Sequence, residues 1–296
     1  MNLALYTTIH PGTRPYLRDW YASVQVQSDQ DFELWIGIDE VPIEKGCDLM
    51  GIESSEAHWI VAEEDDTPAM VRQRAWEAML PHVDAVVMTD SDDVLRAHRI
   101  EQGRKDISDA DVASCSLELI GQQGEALNEV MPPAPYQSAR ALPYRNVFGL
   151  SNTTYRASVL RDCLPLPDNT ILADWYLATQ AWLQGYELYC NPDVGMAYRQ
   201  YADNTLALLP PFTRRDVQKT TEVVQHHFKL VVKNLPSNAI DRRKRKVMKA
   251  HRRVETFAER VVDDDRHLAE YIEQLNALPA LPLWWACVDH PDIQSL

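Results

Sequence analysis

Apolar residues fill nearly every position from Leu3 to Ile9, and the breaker His10-Pro11-Gly12 closes the run, which predicts a buried strand followed by a tight turn. Helical spacing of apolar side chains then runs from Pro15 to about Val26. Phe32 to Asp39 predicts a second strand that ends in an acid, and His58 to Ala62 a third. Pro68 stands at the first turn of a helix reaching Met79, and the β-branched run from Asp84 to Thr89 predicts a fourth strand. Strands alternating with helices imply an α/β fold, a mostly parallel sheet sandwiched by helices. Further on, Tyr144 to Ser151 reads as extended, Tyr155 to Cys163 as a short helix, Leu172 to Leu183 as a stronger helix stopped by Gly185, and Glu187 to Cys190 as a last strand. Beyond Pro210-Pro211 the pattern changes, with Thr213 to Asn234 and Ile240 to Leu278 predicting two long helices and no strand. The expected organisation is an α/β domain over 1–211 and an all-helical C-terminal extension over 212–296. The proline-rich stretch from Asn128 to Pro143 is either a lid over a cleft or an inert surface loop.

Composition narrows the function. The 296 residues are 45% hydrophobic, enough for one large core or one core with an appendage. A formal net charge of -15 argues against a nucleic-acid partner. It also means that an anionic substrate needs a metal ion to enter an acidic cleft. The five cysteines are scattered and lack any C-x-x-C spacing, which speaks against a zinc site or a disulfide scaffold and fits a reducing, cytoplasmic setting. No charged-then-apolar leader and no 18-residue apolar run is present, so secretion and membrane spanning lack support.

The fourth predicted strand ends in Thr89-Asp90-Ser91-Asp92-Asp93. Carboxylates at the carboxyl end of a strand face the crevice where α/β sheets bind ligands. Three acids so close repel one another unless a cation joins them, and oxygen ligands suit Mg²⁺ or Mn²⁺. On the residues alone, a second reading stands beside this one: Ser91, Asp92 or Asp93 caps a helix starting near Val94. Asp39 has the same ambiguity, since a carboxylate at a strand end accepts hydrogen bonds from sugar hydroxyls or a base N–H, and equally serves as a turn acid.

The order of Thr7-Thr8, Arg14-Pro15-Tyr16-Leu17, Ser23-Val24-Gln25, Asp39, Arg72-Gln73, Asp90-Ser91-Asp92-Asp93, Gly149-Leu150-Ser151, Ala173-Asp174 and Tyr198-Arg199 resembles the family 2 glycosyltransferases, which share the GT-A fold. The resemblance covers roughly the first two-thirds of the chain. It implies that Thr8 and Asp39 hold the nucleoside, and that Arg72, with Gln73 in place of the family's asparagine, forks onto a phosphate or locks an aspartate. It places the family's Asp-x-Asp motif on Asp90, at the ribose or at the metal through water, and on Asp92, the metal ligand, with Asp93 supporting both. Asp174 falls where the family carries a general base, although Ala173 replaces the usual glutamate before it; the alternative is an acid that favours the positive end of a helix. Arg199 in Tyr198-Arg199-Gln200-Tyr201-Ala202-Asp203-Asn204 would stabilise the departing diphosphate, and Tyr201 stands where the family often has a histidine.

The activity this implies is a metal-dependent, inverting transfer of a sugar from a UDP- or GDP-linked donor to a glycan or small-molecule hydroxyl acceptor, as in polysaccharide synthesis. Two rivals stand beside it. Asp90-Ser-Asp-Asp-Val-Leu95 also resembles the nucleophile loop of haloacid-dehalogenase-type phosphatases, with Asp263-Asp264-Asp265 as a later acidic group. A non-catalytic sugar-nucleotide or glycan-binding protein would account for the missing glutamate.

Three features lie outside the resemblance or at its edge. Trp175 and Trp182 share a helix and serve either a sugar ring or the core. Arg242-Arg243-Lys244-Arg245-Lys246, with Lys249, Arg252 and Arg253, is the one strong basic run, either a contact for anionic lipid at a membrane's inner face or for a polyanionic acceptor, or a solvated helix face balanced by Asp263-Asp264-Asp265. Trp284-Trp285 offers apolar surface that folds back on the chain or buries in a homodimer through the C-terminal helices.

Overall fold

The computed structural model describes residues 1–201 and 208–293. Four parallel strands open it: β1 (Leu3–Ile9), β2 (Glu33–Ile38), β3 (His58–Val61) and β4 (Ala85–Met88), in the order β3-β2-β1-β4. The helices α1 (Leu17–Gln25), α2 (Ile43–Met50) and α3 (Pro68–Met79) connect them. Thr67 caps α3 by accepting the Met70 N–H, and Pro68 fills the first helical position, where its missing N–H costs nothing.

Past the aspartates the chain departs from the expected grammar. No helix begins near Val94; Val94–Leu95 is a short strand, β5, because its backbone pairs with a strand far along the chain, and helix α4 spans Arg99–Asp109. Then follow β6 (Val112–Ile120), β7 (Ala126–Met131), β8 (Thr153–Arg156), α5 (Ala157–Cys163), α6 (Ala173–Gln184) and β9 (Leu188–Arg199). The sheet continues β4-β8-β6-β9-β5, with β8 antiparallel to β4 and β6, and β9 parallel to β6. β7 joins the outer half of β6, so the excursion from Asn128 to Pro143 begins as a strand rather than as a free loop. The last strand runs far beyond Cys190, to Arg199, across register shifts against Ser114, Ser116 and Leu117 that accommodate Asn191-Pro192-Asp193. Tyr155 and Arg156 belong to β8 rather than to a helix, and residues 144–149 lie outside any strand, ahead of a single 3-10 turn at Leu150–Asn152. Among the described residues the sheet has nine strands.

Beyond residue 211 come α7 (Arg214–Lys233), α8 (Asp241–Phe257) and α9 (Asp265–Ala277). The single helix expected over Ile240 to Leu278 is therefore two. A five-residue π-helical turn, Ala258–Val262, ends α8, and Asp264 restarts the chain by accepting the N–H groups of Arg266 and His267. Asp263-Asp264-Asp265 does not balance the basic run: Asp264 is that cap, and Asp265 pairs with Arg214 of α7.

These helices share one hydrophobic core with the sheet. His227 of α7 stacks on Trp175 of α6, with ring centroids 4.2 Å apart and planes at 13°, and burial lowers its pKa to about 3. Trp175 donates its indole N–H to Leu142 O and Trp182 lies under Arg243, so both tryptophans of α6 serve packing. Trp284 and Trp285 are buried against their own chain. Among the described residues no helix is long and apolar enough to cross a membrane.

Candidate active site at the carboxyl ends of the parallel strands

A cavity of about 290 Å³ opens where β1 and β4 end. Thr8, Arg72, Asp90, Asp92, Asp174 and Arg199, six of the seven residues singled out from the sequence, line it. Asp39, the seventh, lies just past β2, where its N–H continues the ladder to Ile9 O at 2.9 Å. It is not part of the cavity wall, but its charge reaches His10, which is.

The carboxylates are held from distant parts of the chain. Ser91 Oγ donates to Thr8 O at 2.7 Å and pins the acidic turn to β1. Ser151 Oγ donates to Asp93 and accepts the Asp90 N–H, so the Gly149-Leu150-Ser151 segment clamps the turn from its other side. Asp93 is buried, and its second oxygen accepts the backbone N–H of Arg199 at 2.8 Å. Asp92 takes the Tyr201 hydroxyl at 2.6 Å, so the position where the family often has a histidine serves here as a donor to Asp92. Ala202, Asp203 and Asn204 lie outside the described residues.

Burial, and after it the charge of Asp92, pushes Asp90 up to about 7; the same causes raise Asp93 well above the usual carboxylate range. Such a cluster favours a bound cation. Among the described residues no three His, Cys, Asp or Glu side chains converge on a metal position. Asp90 and Asp92 on the cavity wall nonetheless fit an ion of the Mg²⁺ or Mn²⁺ kind, which keeps one or two carboxylates and takes its remaining oxygens from phosphates and water.

Asp174 sits in the first turn of α6 and is raised by burial. Asn146 Nδ2 donates to its Oδ2 at 2.7 Å, and Asn146 is itself oriented by the Phe148 N–H, which donates to its Oδ1 at 3.0 Å. Asn146 is fully buried and was not foreseen. It orients Asp174 where the family's glutamate is missing.

The two arginines differ. Arg199 is buried, with Nε donating to Asp92 O at 2.8 Å, Nη1 to Gln122 O at 2.9 Å, and its guanidinium 4.8 Å from the Tyr16 ring centroid. Its donors thus tie the acidic turn to Gln122 and to Asp19 of α1, 3.5 Å from Nη2. Arg72 lines the same cavity, makes no hydrogen bond or ion pair with the described residues, and its charge lowers the pKa of Asp90 and Asp174. Gln73 faces away, bonding Glu77 and the Leu166 N–H.

Trp284 and Trp285 also line the cavity, another contribution not foreseen. Trp284 packs on Gly149: a Cβ there would lie 2.8 Å from Cζ2 of the indole and closer still to Cη2. Its Nε1 donates to the Tyr198 hydroxyl at 3.4 Å. Trp285 adopts φ 66°, unusual for a bulky residue, and its buried indole N–H has no hydrogen-bond partner among the described residues. The only sequence signal was the doublet itself.

No protein-family model and no curated protein matches the sequence. Solved structures do. The fold is the GT-A fold of glycosyltransferases. The chain is similar to the mannosyltransferase PcManGT from Pyrobaculum calidifontis in complex with GDP-Man and Mn²⁺, with TM-score 0.59 and 14% identity over 95% of this chain and 76% of that one. It is likewise similar to residues 1–349 of S. aureus TarS, with TM-score 0.58 and 14% identity over 93% of this chain and 79% of that one. The same TarS fragment in complex with UDP gives TM-score 0.57 and 13% identity, over 88% of this chain and 73% of that one. Identities this low establish the shared fold. The phosphatase alternative expects its nucleophile loop after a first strand; here Asp90 follows the fourth.

Proposed function

We propose that the protein is an inverting glycosyltransferase that moves a sugar from a UDP- or GDP-linked donor to a hydroxyl of a glycan or small-molecule acceptor. The observation that carries this reading is Asp174, lining one cavity with the Asp90/Asp92 pair and oriented by Asn146. Thr8 and Asp39 would hold the nucleoside. Asp90 and Asp92 would hold Mg²⁺ or Mn²⁺, which supplies positive charge to the diphosphate. Arg72, rather than Arg199, is the arginine we assign to the diphosphate, because the guanidinium of Arg199 braces Asp92 and residue 122.

Asp174 takes the proton of the acceptor hydroxyl on its carboxylate, which Asn146 orients through Oδ2. That hydroxyl oxygen bonds to the anomeric carbon as the bond from this carbon to the diphosphate oxygen breaks on the opposite face, and the configuration inverts. Burial raises the basicity of Asp174, which brings it nearer the pKa that suits a base at neutral pH.

The test separates binding from chemistry. Asp174→Asn should bind UDP or GDP with Mn²⁺ as tightly as the parent in calorimetry, yet lose about two to four orders of magnitude in turnover. Undiminished transfer by that variant would remove Asp174 from the mechanism, and a product of retained anomeric configuration by NMR would exclude the single displacement. Donor binding by the parent without turnover of any acceptor would favour a non-catalytic binding protein.

A further inference from the structure

A second cavity, about 480 Å³, lies between the C-terminal end of α6, the turn carrying Arg140 and the first turns of α8. Its lining is Arg140, Trp182, Arg242, Arg243 and Lys246, four cations and one aromatic. No carboxylate is among them, in a chain of net charge -15. Trp182 is eight residues past Asp174 on α6, so at 1.5 Å per residue the two sites stand about 12 Å apart along that helix.

The cations are not neutralised from within. Arg140, Arg242 and Lys246 make no ion pair with any described residue, and Asp241 pairs with Lys244 at 3.7 Å. Arg243 donates to the Trp182 carbonyl, and its guanidinium lies 5.1 Å from the Trp182 ring centroid. Burial, with the charge of Arg242 beside it, lowers the Arg243 pKa, the sign of cations held together without a counter-charge.

We infer that this cavity binds a multiply charged oxyanion, a soluble chain carrying repeated phosphate groups. Three guanidinium forks and an ammonium match the charge of two or more phosphates, and arginine meets phosphate through paired N–H donors. A bilayer surface fits less well. The cations line a concavity, and the exposed large apolar residues (Met1, Val26, Val61, Met70, Val130, Ile171 and Tyr189) include none on α8 or beside Arg140, whereas membrane-lying helices press apolar side chains into the lipid. The inference stands independently of sugar transfer, since it concerns binding at a separate site.

Calorimetric titration of the full chain with inorganic tripolyphosphate, in chelator so that the acidic pocket cannot take part through a metal, tests it. Tripolyphosphate should bind more tightly than orthophosphate and weaken as salt rises. The double variant Arg242→Glu with Lys246→Glu should lose at least tenfold in affinity at an unchanged melting temperature, and Asp92→Ala should lose none. Equal binding by the double variant, or absence of binding by the parent, overturns the site. Co-sedimentation with phosphatidylglycerol vesicles that the double variant abolishes, without tripolyphosphate binding, would assign the cations to a membrane and overturn the soluble chain.

Discussion

The acidic cavity gathers its carboxylates from two segments and fixes them with partners from elsewhere: Tyr201 for Asp92, Ser151 and the Arg199 backbone for Asp93, Asn146 for Asp174. The basic cavity takes three of its four cations from residues 242–246 of one helix, and of its four only Arg243 is held by the protein. Charges that must meet a reacting centre gain from being pre-positioned, because a misplaced group loses its effect on the transition state. Cations without fixed protein partners can adjust to a ligand of variable shape. The difference therefore predicts that substitutions around the acidic cavity change stability and pH behaviour, and that those around the basic one change little besides binding.

Gly149→Ala should have the largest effect on stability. Its new methyl meets the Trp284 ring, and overpacking of this kind costs about 1–3 kcal/mol, read as a melting temperature lowered by several degrees. An unchanged melting temperature would show that the tryptophan wall yields easily. Next comes pH. Asp90 at about 7 and Asp93 above the usual range bind protons in the native state that the unfolded chain has released above about pH 4, so stability without metal should fall as pH rises from 4 through 7. Mn²⁺ competes with those protons, so the melting-temperature gain it brings should grow from pH 5.5 to pH 8 and vanish in Asp92→Ala. A pH-independent gain would place the ion elsewhere. Asn146→Ala should act more subtly: it removes a hydrogen bond that lowers the Asp174 pKa, so the acid limb of the turnover profile should move to higher pH. The smallest effect belongs to the other cavity, where Lys246→Ala should change stability by no more than about 0.5 kcal/mol in denaturant titration.

How much of this was legible in the sequence follows from distance along the chain. β1, β2 and β4 announce themselves as uninterrupted apolar runs, and α3 by its proline and cap, because those signals are local. β6 hides behind Ala113, Ser114, Cys115 and Ser116, small residues with no strong strand preference that fit because they are covered by neighbouring strands on both sides. α4 is polar, with Gly103 at its centre, where a Cβ would crowd Thr154 of β8. In the site, Asp90 and Asp92 stood out by their place at a strand end, and Asp174 through the family resemblance. Asn146 and Tyr201 were not assigned their roles, since each acts across a separation, 28 and 109 residues, that no periodicity records.

The seating of Trp284 on Gly149 also orders events in time. A polypeptide emerging from the ribosome as far as α9 already holds every carboxylate of the acidic cavity, yet lacks the indoles that form one of its walls. Until the residues beyond Leu283 are made, that cleft stands open to water on one side, and the desolvation that raises Asp90 and Asp174 is incomplete. The two indoles are therefore the last of the cavity's lining residues to be made, after every strand of the sheet has been synthesised.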